Sequence, residues 1–291
     1  MKTAAVLLAF GAALAAQQAG EVVVERVVTG FRFLNGPTWA PDDTLLFSDT
    51  PTDRQLRFTP GKSAPSEVAS RAGGVSATTF DAKGNMYVAE PRARRITRTD
   101  RKGKIDTVAE RFEGKNLNAP NDLVARRDGN IYFTDPAFGE QQDAAELGFL
   151  GVFRIDPKGV LTAVARWKTR PNGIALSENG RALFVTDADA QTIHAFDLDK
   201  DGGASNDHVV VSKIEGPPGG IRTDVAGNLY VAARHVFVYS PKGELLRTVR
   251  LNEQPSNLTW GDVNLESLYV TARTSVYRVE FGVKGVVSYL P

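Results

Sequence analysis

The feature of this chain that most restricts its fold is a sixfold internal repeat. A small or polar turn carrying Asp, Gly or Asn runs into an alternating apolar stretch. The pattern recurs as PDDTLLFSD (41–49), DAKGNMYVAE (81–90), RRDGNIYFTD (126–135), SENGRALFVTD (177–187), DVAGNLYVAA (224–233) and DVNLESLYVTA (262–272). Equivalent positions are Leu46, Tyr87, Tyr132, Phe184, Tyr230 and Tyr269, so successive copies lie 41, 45, 52, 46 and 39 residues apart. Each copy continues into a second alternating segment, a turn that mostly carries Lys and Gly, and a further short β-rich segment. With the segment before the Asp/Gly turn, this makes four strands per unit. Short period-2 strands separated by turn signals predict an all-β chain. Four strands repeated every 40–45 residues or so mark a propeller blade. The expectation is a single domain over residues 17–291, a six-bladed β-propeller of four-stranded blades. Two stacked β-domains are the alternative, and the even spacing without a linker argues against them. The β-branched segment VVVERVV (22–28) is expected to add a strand to the last blade and close the ring, leaving no free edge.

Ahead of the repeats, Lys2 precedes an apolar run from Ala4 to Ala16 that ends in a small-x-small pattern, Ala13-Leu14-Ala15. This reads as a secretory signal peptide over residues 1–16, too short to span a bilayer comfortably. The mature protein is therefore expected to be secreted or periplasmic, free of the membrane after cleavage, and monomeric. The chain has no cysteine, which excludes disulfides, thiolate metal sites, iron–sulfur clusters, a cysteine nucleophile and a lipoprotein anchor. With 35 basic and 34 acidic residues the formal charge is +1, so no basic field recommends nucleic acid as a partner.

In a propeller the innermost strand of each blade begins near the central axis on one face. Counting back eleven or twelve residues from the six aligned anchors reaches Asn35, Ser76, Asn121, Asn172, Gly219 and Asn257. Four of these six carry an amide. One reading is a polar site at the channel mouth for a metal or a hydroxylated ligand, since Asn offers both a carbonyl acceptor and an N–H donor. The other is that Asn caps the turn leading into each strand and bonds its own loop.

The loops on the same face hold Arg92, Arg94, Arg95, Arg234 and Arg273. Arg94, Arg234 and Arg273 are candidates for an anionic or carbonyl-bearing ligand, and solvated surface arginine is the alternative. The longest loop, 136–150, is a candidate lid. Asp49, Glu90, Asp135 and Asp187 end the second strands. Their recurrence suits a carboxylate accepting backbone N–H bonds from the following loop. Asp135 and Asp187, next to the Asn121 and Asn172 blades, are the candidates for a general base. His194, His208 and His235 lack metal-type spacing. No phosphate loop, dinucleotide fingerprint or nucleophile elbow occurs.

The segments NAPNDLVARRDGNIYFTDPAFG (118–139) and RPNGIALSENGRALFVTDAD (170–189) resemble the senescence-marker-protein/gluconolactonase family, and the remaining blades do so more weakly, over about residues 30–280. The resemblance implies a six-bladed propeller and a lactonase-type hydrolase dependent on calcium or zinc, acting on a small lactone or sugar-like ligand. It implies metal ligands at Asn121 and Asn172, which match the family's asparagines. Two family acids are replaced: a first-blade Glu by Asn35, and a fifth-blade Asp, ligand and general base, by Gly219. A family arginine falls at Ala119. A hard divalent cation depends on carboxylate charge, so this site is expected to bind one weakly or not at all, with Asn35 adding a carbonyl. Two functions follow: an exported lactonase-like hydrolase, or a non-catalytic propeller binding a sugar-like ligand or a protein on its asparagine-rich face.

Overall fold

The computed structural model describes residues 22–70, 73–143 and 145–290; the leader expected over residues 1–16 lies outside them. Six four-stranded antiparallel sheets are arranged as a β-propeller. Five blades are built in chain order from axis to rim, with innermost strands Leu34–Trp39, Thr78–Phe80, Leu123–Ala125, Pro171–Leu176 and Ile221–Thr223. The sixth runs Pro255–Gly261, Ser267–Ala272 and Ser275–Glu280, and takes its outer strand, Val23–Thr29, from the other end of the chain. That strand pairs antiparallel with Ser275–Glu280, from Val23 opposite Glu280 to Thr29 opposite Ser275. The β-branched N-terminal segment thus closes the ring as expected.

The repeated residues explain the repeated blade. In the Asp/Gly turns, one carboxylate oxygen accepts two backbone N–H groups: Asp81 takes those of Lys83 and Asn85, and Asp224 those of Ala226 and Asn228. The glycine that follows, at φ +81° for Gly84, supplies the left-handed conformation the turn needs. The anchor tyrosine then reaches back to the turn: Tyr87 and Tyr230 donate their hydroxyls to Asp81 and Asp224, and Tyr269 does the same to Asp262 at 2.6 Å. Tyr132 donates instead across to the Gly202 carbonyl of the next blade, at 2.7 Å. The apolar bodies of these side chains fill the space between sheets, as where Trp39 of blade 1 stacks on Tyr269 of blade 6 at 5.4 Å. Fully burying such rings contributes roughly 1.5–3 kcal/mol each.

Successive innermost strands neighbour one another all the way round. Close approach there demands glycine. A Cβ on Gly36 would lie 2.2 Å from the Ser76 carbonyl oxygen, and one on Gly173 would lie 2.4 Å from that of Gly219. The far end of the channel is stopped by the C-terminal segment. Tyr289 donates to the Trp39 carbonyl at 2.7 Å and packs on Phe80, Ser288 donates to the Ala125 carbonyl at 2.5 Å, and Val286 N–H donates to that of Thr223. The channel is therefore open at one end only, where the innermost strands begin.

Candidate active site

At that open end lies a cavity of about 450 Å³. Its floor is polar and uncharged: Asn35, Ser76, Asn121, Asn172 and Ser256, with Gly219 between the last two. Its walls are mostly apolar, with Phe33, Pro91, Ala119, Phe138, Pro217 and Pro255. Five of the six ring positions counted from the sequence are brought together here. The sixth is not. In blade 6 the turn joining the two inner strands is longer: Tyr269 pairs with Thr259, ten residues back, where the other anchors pair eight or nine residues back, so Ser256 lines the cavity. Asn257 is buried one layer deeper, where it donates to Asp122 at 3.3 Å.

The floor residues bond across blades. Asn35 Nδ2 donates to Ser76 Oγ at 3.2 Å, Ser76 Oγ–H to Asn121 Oδ1 at 2.8 Å, Asn121 Nδ2 to Asn172 Oδ1 at 2.7 Å, and Asn172 Nδ2 to the Pro218 carbonyl at 3.0 Å. Each bond therefore spans two neighbouring blades, and the side chains do not cap their own turns. Packed side by side at the axis, they are nearer to the adjacent blade than to their own loop.

Below the floor sits the one charged pair of the described channel lining, Asp122 and Arg222, 3.6 Å apart. Asp122 is 1% exposed, and its oxygens take the N–H groups of Leu123 and Ile174 besides Asn257. Neither residue was singled out in the sequence, although Asp122 directly follows Asn121 in the Pro-Asn-Asp segment.

The two candidate bases stand away from the cavity. Asp135 accepts the N–H groups of Asn118 at 2.7 Å and Ala119 at 2.6 Å. Burial pushes its carboxyl up to about 7, with those two N–H groups and Arg94 pulling the other way. Asp187 accepts from Asp189 N, Ala190 N and Thr169 Oγ1. Asp49 takes Arg32 N and Phe33 N, and Arg54 pairs with it. Burial raises the Asp49 pKa, but these donors outweigh it and hold the carboxyl below its usual range. Asp49 and Asp135 thus take backbone N–H groups of the segment arriving at the inner strand, while Asp187 takes those of the loop that follows it, as expected. Antiparallel pairing puts the end of the second strand beside the start of the first. Glu90 bonds Arg95 and Thr97.

The three candidate arginines are likewise engaged or outside. Arg94 donates to the Leu117 carbonyl at 2.5 Å and to Glu146 at 2.9 Å. Arg234 pairs with Glu215 at 3.0 Å. Arg273 is exposed at a turn with φ +39°, where its carbonyl accepts from Leu34. The long loop does reach the cavity: Phe138 and Gly139 form part of its wall, and Arg170 lies over the Phe138 ring at 5.2 Å. Glu146 anchors the same loop to Arg94 and Asn116.

The donor set does not fit a hard divalent cation. Among the described residues no carboxylate lines the cavity, and the carbonyl oxygens of Asn121 and Asn172 already accept from neighbours. Among the described residues, no group of three or more His, Asp or Glu is placed to hold a metal.

The chain is thus a six-bladed β-propeller with an axial cavity floored by amides. Among such propellers it belongs to the SMP-30/gluconolactonase/LRE-like family, whose pattern matches residues 33–274. It is 29% identical to a gluconolactonase of Zymomonas mobilis, over 88% of this chain and 80% of that one. It is 28% identical to a pentonolactonase of Haloferax volcanii, over 86% and 85% respectively. The solved structure of a gluconolactonase from Xanthomonas campestris superposes with a TM-score of 0.83 at 29% identity, covering 92% of both chains. A calcium-binding regucalcin from Agrobacterium tumefaciens shares the fold, with a TM-score of 0.77 over 91% of this chain and 96% of that one, at 18% identity.

Proposed function

We propose that this chain is a lactonase-type hydrolase that takes a lactone of a sugar acid, or a similar hydroxylated cyclic ester, into the axial cavity. The carrying observation is the cavity itself: an uncharged hydrogen-bonding floor under apolar walls, in a volume suited to one small ring. The family and the cyclic-ester substrates named for its relatives support the same reading. Phe33, Phe138 and the prolines pack on the C–H faces of the ring, and the amides and hydroxyls meet its oxygens. Water adds to the ester carbonyl carbon, and amide N–H groups hold the oxygen as it gains negative charge. The bond from that carbon to the ring oxygen then breaks, the ring oxygen takes a proton, and a hydroxy acid leaves.

Among the described residues no acid or imidazole lines the cavity, so in this reading the attacking water is activated by solvent hydroxide and no resident cation carries a step. With residues 1–16 read as a secretory leader, this reading puts the activity outside the cytoplasm. The test is hydrolysis of a panel of sugar γ- and δ-lactones by the purified protein between pH 5 and 9, with and without chelator. The expected result is turnover above the blank that rises with pH along a single limb, is unaffected by chelation, and drops at least about tenfold in Asn121→Leu. No turnover on any lactone sinks the hydrolase. One observation favours a second reading, capture of the ligand without turnover: Asn35 and Gly219 leave the cavity without a general base. Saturable binding of a lactone that is recovered intact establishes that reading instead.

A further inference from the structure

The hydrogen bonds of the cavity floor run in one direction, and a single backbone group sets it. The Pro218 carbonyl can only accept. Asn172 must therefore turn its Nδ2 toward Pro218, at 3.0 Å, which leaves its Oδ1 facing Asn121. Asn121 must answer with Nδ2, at 2.7 Å, which turns its own Oδ1 to Ser76. The Ser76 hydroxyl must then donate, at 2.8 Å, and accepts in turn from Asn35 Nδ2 at 3.2 Å. Reversing any one amide sets oxygen against oxygen or N–H against N–H. The floor oxygens of Asn121 and Asn172 are thus turned along the ring. Each of the three amides keeps one N–H beyond its rim bond, and the three asparagines that carry them line the cavity.

We propose that the floor is an N–H donor cradle that selects a ligand by an acceptor oxygen, the carbonyl of a cyclic ester or the carboxylate of its opened product, and that it rejects divalent cations. This is opposite in polarity to a cation site. A second observation shows that the difference is built into the backbone. At Gly219, where the family resemblance implies an acid, a Cβ would lie 2.2 Å from the Ser256 carbonyl oxygen. At Gly220 it would lie 1.8 Å from Asn257 Oδ1. Blades 5 and 6 have closed over the place a carboxylate would need. The inference rests on the axial cavity being the ligand site, and holds whether or not the ligand is turned over.

The test is titration calorimetry with three probes: the δ-lactam of gluconic acid, which keeps the ring carbonyl and resists hydrolysis; 1,5-anhydroglucitol, a six-membered ring with an ether oxygen in place of the N–H and no carbonyl; and Ca²⁺ alone. The lactam is expected to bind at least on the order of tenfold tighter than anhydroglucitol, the worth of one or two hydrogen bonds to partly buried donors. Millimolar Ca²⁺ is expected to give no binding heat and no change in lactam affinity. Ser76→Ala interrupts the chain at its middle and lowers lactam affinity severalfold. Asn172→Asp removes the donor to the Pro218 carbonyl, puts a negative charge in the floor and lowers lactam affinity at least as much; unchanged melting temperatures confirm that both variants fold. Equal affinity for the two rings, failure of both to bind, or a Ca²⁺ heat that disappears in Asn121→Ala overturns the proposal. The lactam preference without lactone turnover would remove the hydrolase and keep the cradle. Turnover that requires calcium would remove the cradle and keep the hydrolase.

Discussion

Replacing Asp135 with Asn tests how the floor of the site is held. The carboxyl group is fully buried and accepts the backbone N–H groups of Asn118 and Ala119, three and two residues before Asn121. Burial raises its pKa from 3.8 to about 7. Because the folded state holds the proton more tightly, the stability from this group is fully present below about pH 4 and is lost as pH rises to about 7. At about 1.4 kcal/mol per unit, a shift of roughly three units makes that loss ~4 kcal/mol, of which ~3 kcal/mol falls between pH 5 and pH 8. Asn does not titrate in this range. It also has one oxygen where two N–H groups need acceptors, so one buried donor is orphaned, at a cost of about 1–3 kcal/mol. Asp135→Asn should therefore be clearly less stable than the parent at pH 5. The gap should narrow by ~3 kcal/mol and close near pH 8. Urea unfolding followed by tryptophan fluorescence at pH 5, 6, 7 and 8 measures it. A stability difference that stays constant across that range would refute both the raised carboxyl and its assigned cause.

Two further perturbations probe the ring. Removing the chain through Thr29 strips the outer strand of blade 6 and exposes the edge of Ser275–Glu280. The urea midpoint should fall, and light scattering should report self-association, since an unpaired edge templates pairing. Gly285→Ala places a Cβ within 1.8–2.2 Å of the fully buried Trp260 indole. It should cost about 3 kcal/mol or more through overpacking, read as a lower midpoint at unchanged slope.

The blades were legible because every blade repeats the same chemistry within a few residues: an Asp to close the turn, a glycine after it, an aromatic to reach back. Local spacing carries that information. The N-terminal strand was legible for a related reason, since a β-branched run outside the sixfold pattern had one free edge left to fill. The site was legible where the turn joining the two inner strands keeps its length. Counting back from the anchors reached Asn35, Ser76, Asn121, Asn172 and Gly219, but the longer turn of blade 6 puts Ser256, not Asn257, at the last position. The arginines failed for a different reason. Whether Arg94 or Arg234 faces a cavity is decided by Glu146 and Glu215, and a loop's length says nothing about which carboxylate its side chains will find. The C-terminal stopper was missed because its partners, Trp39, Ala125 and Thr223, are about 60 to 250 residues away in sequence.

Asparagine poses a deeper limit, and it bears on function. Its two ends are nearly the same size, so an Asn at the axis reads equally well as a carbonyl for a cation or as an N–H for an oxygen. The family resemblance selects the first. What selects the second is the Pro218 carbonyl, 46 residues beyond Asn172 and acting through it on Asn121, Ser76 and Asn35 in turn. The absence of a carboxylate at Gly219 and the direction of this chain go together. With glycine there, the Ser256 carbonyl oxygen of blade 6 lies 2.2 Å from where a Cβ would stand, and the Pro218 carbonyl takes the end of the chain, so every amide in it follows. Restoring one acid alone, as in Asn35→Glu, would leave that direction in place. It should add negative charge to the floor without creating a calcium site.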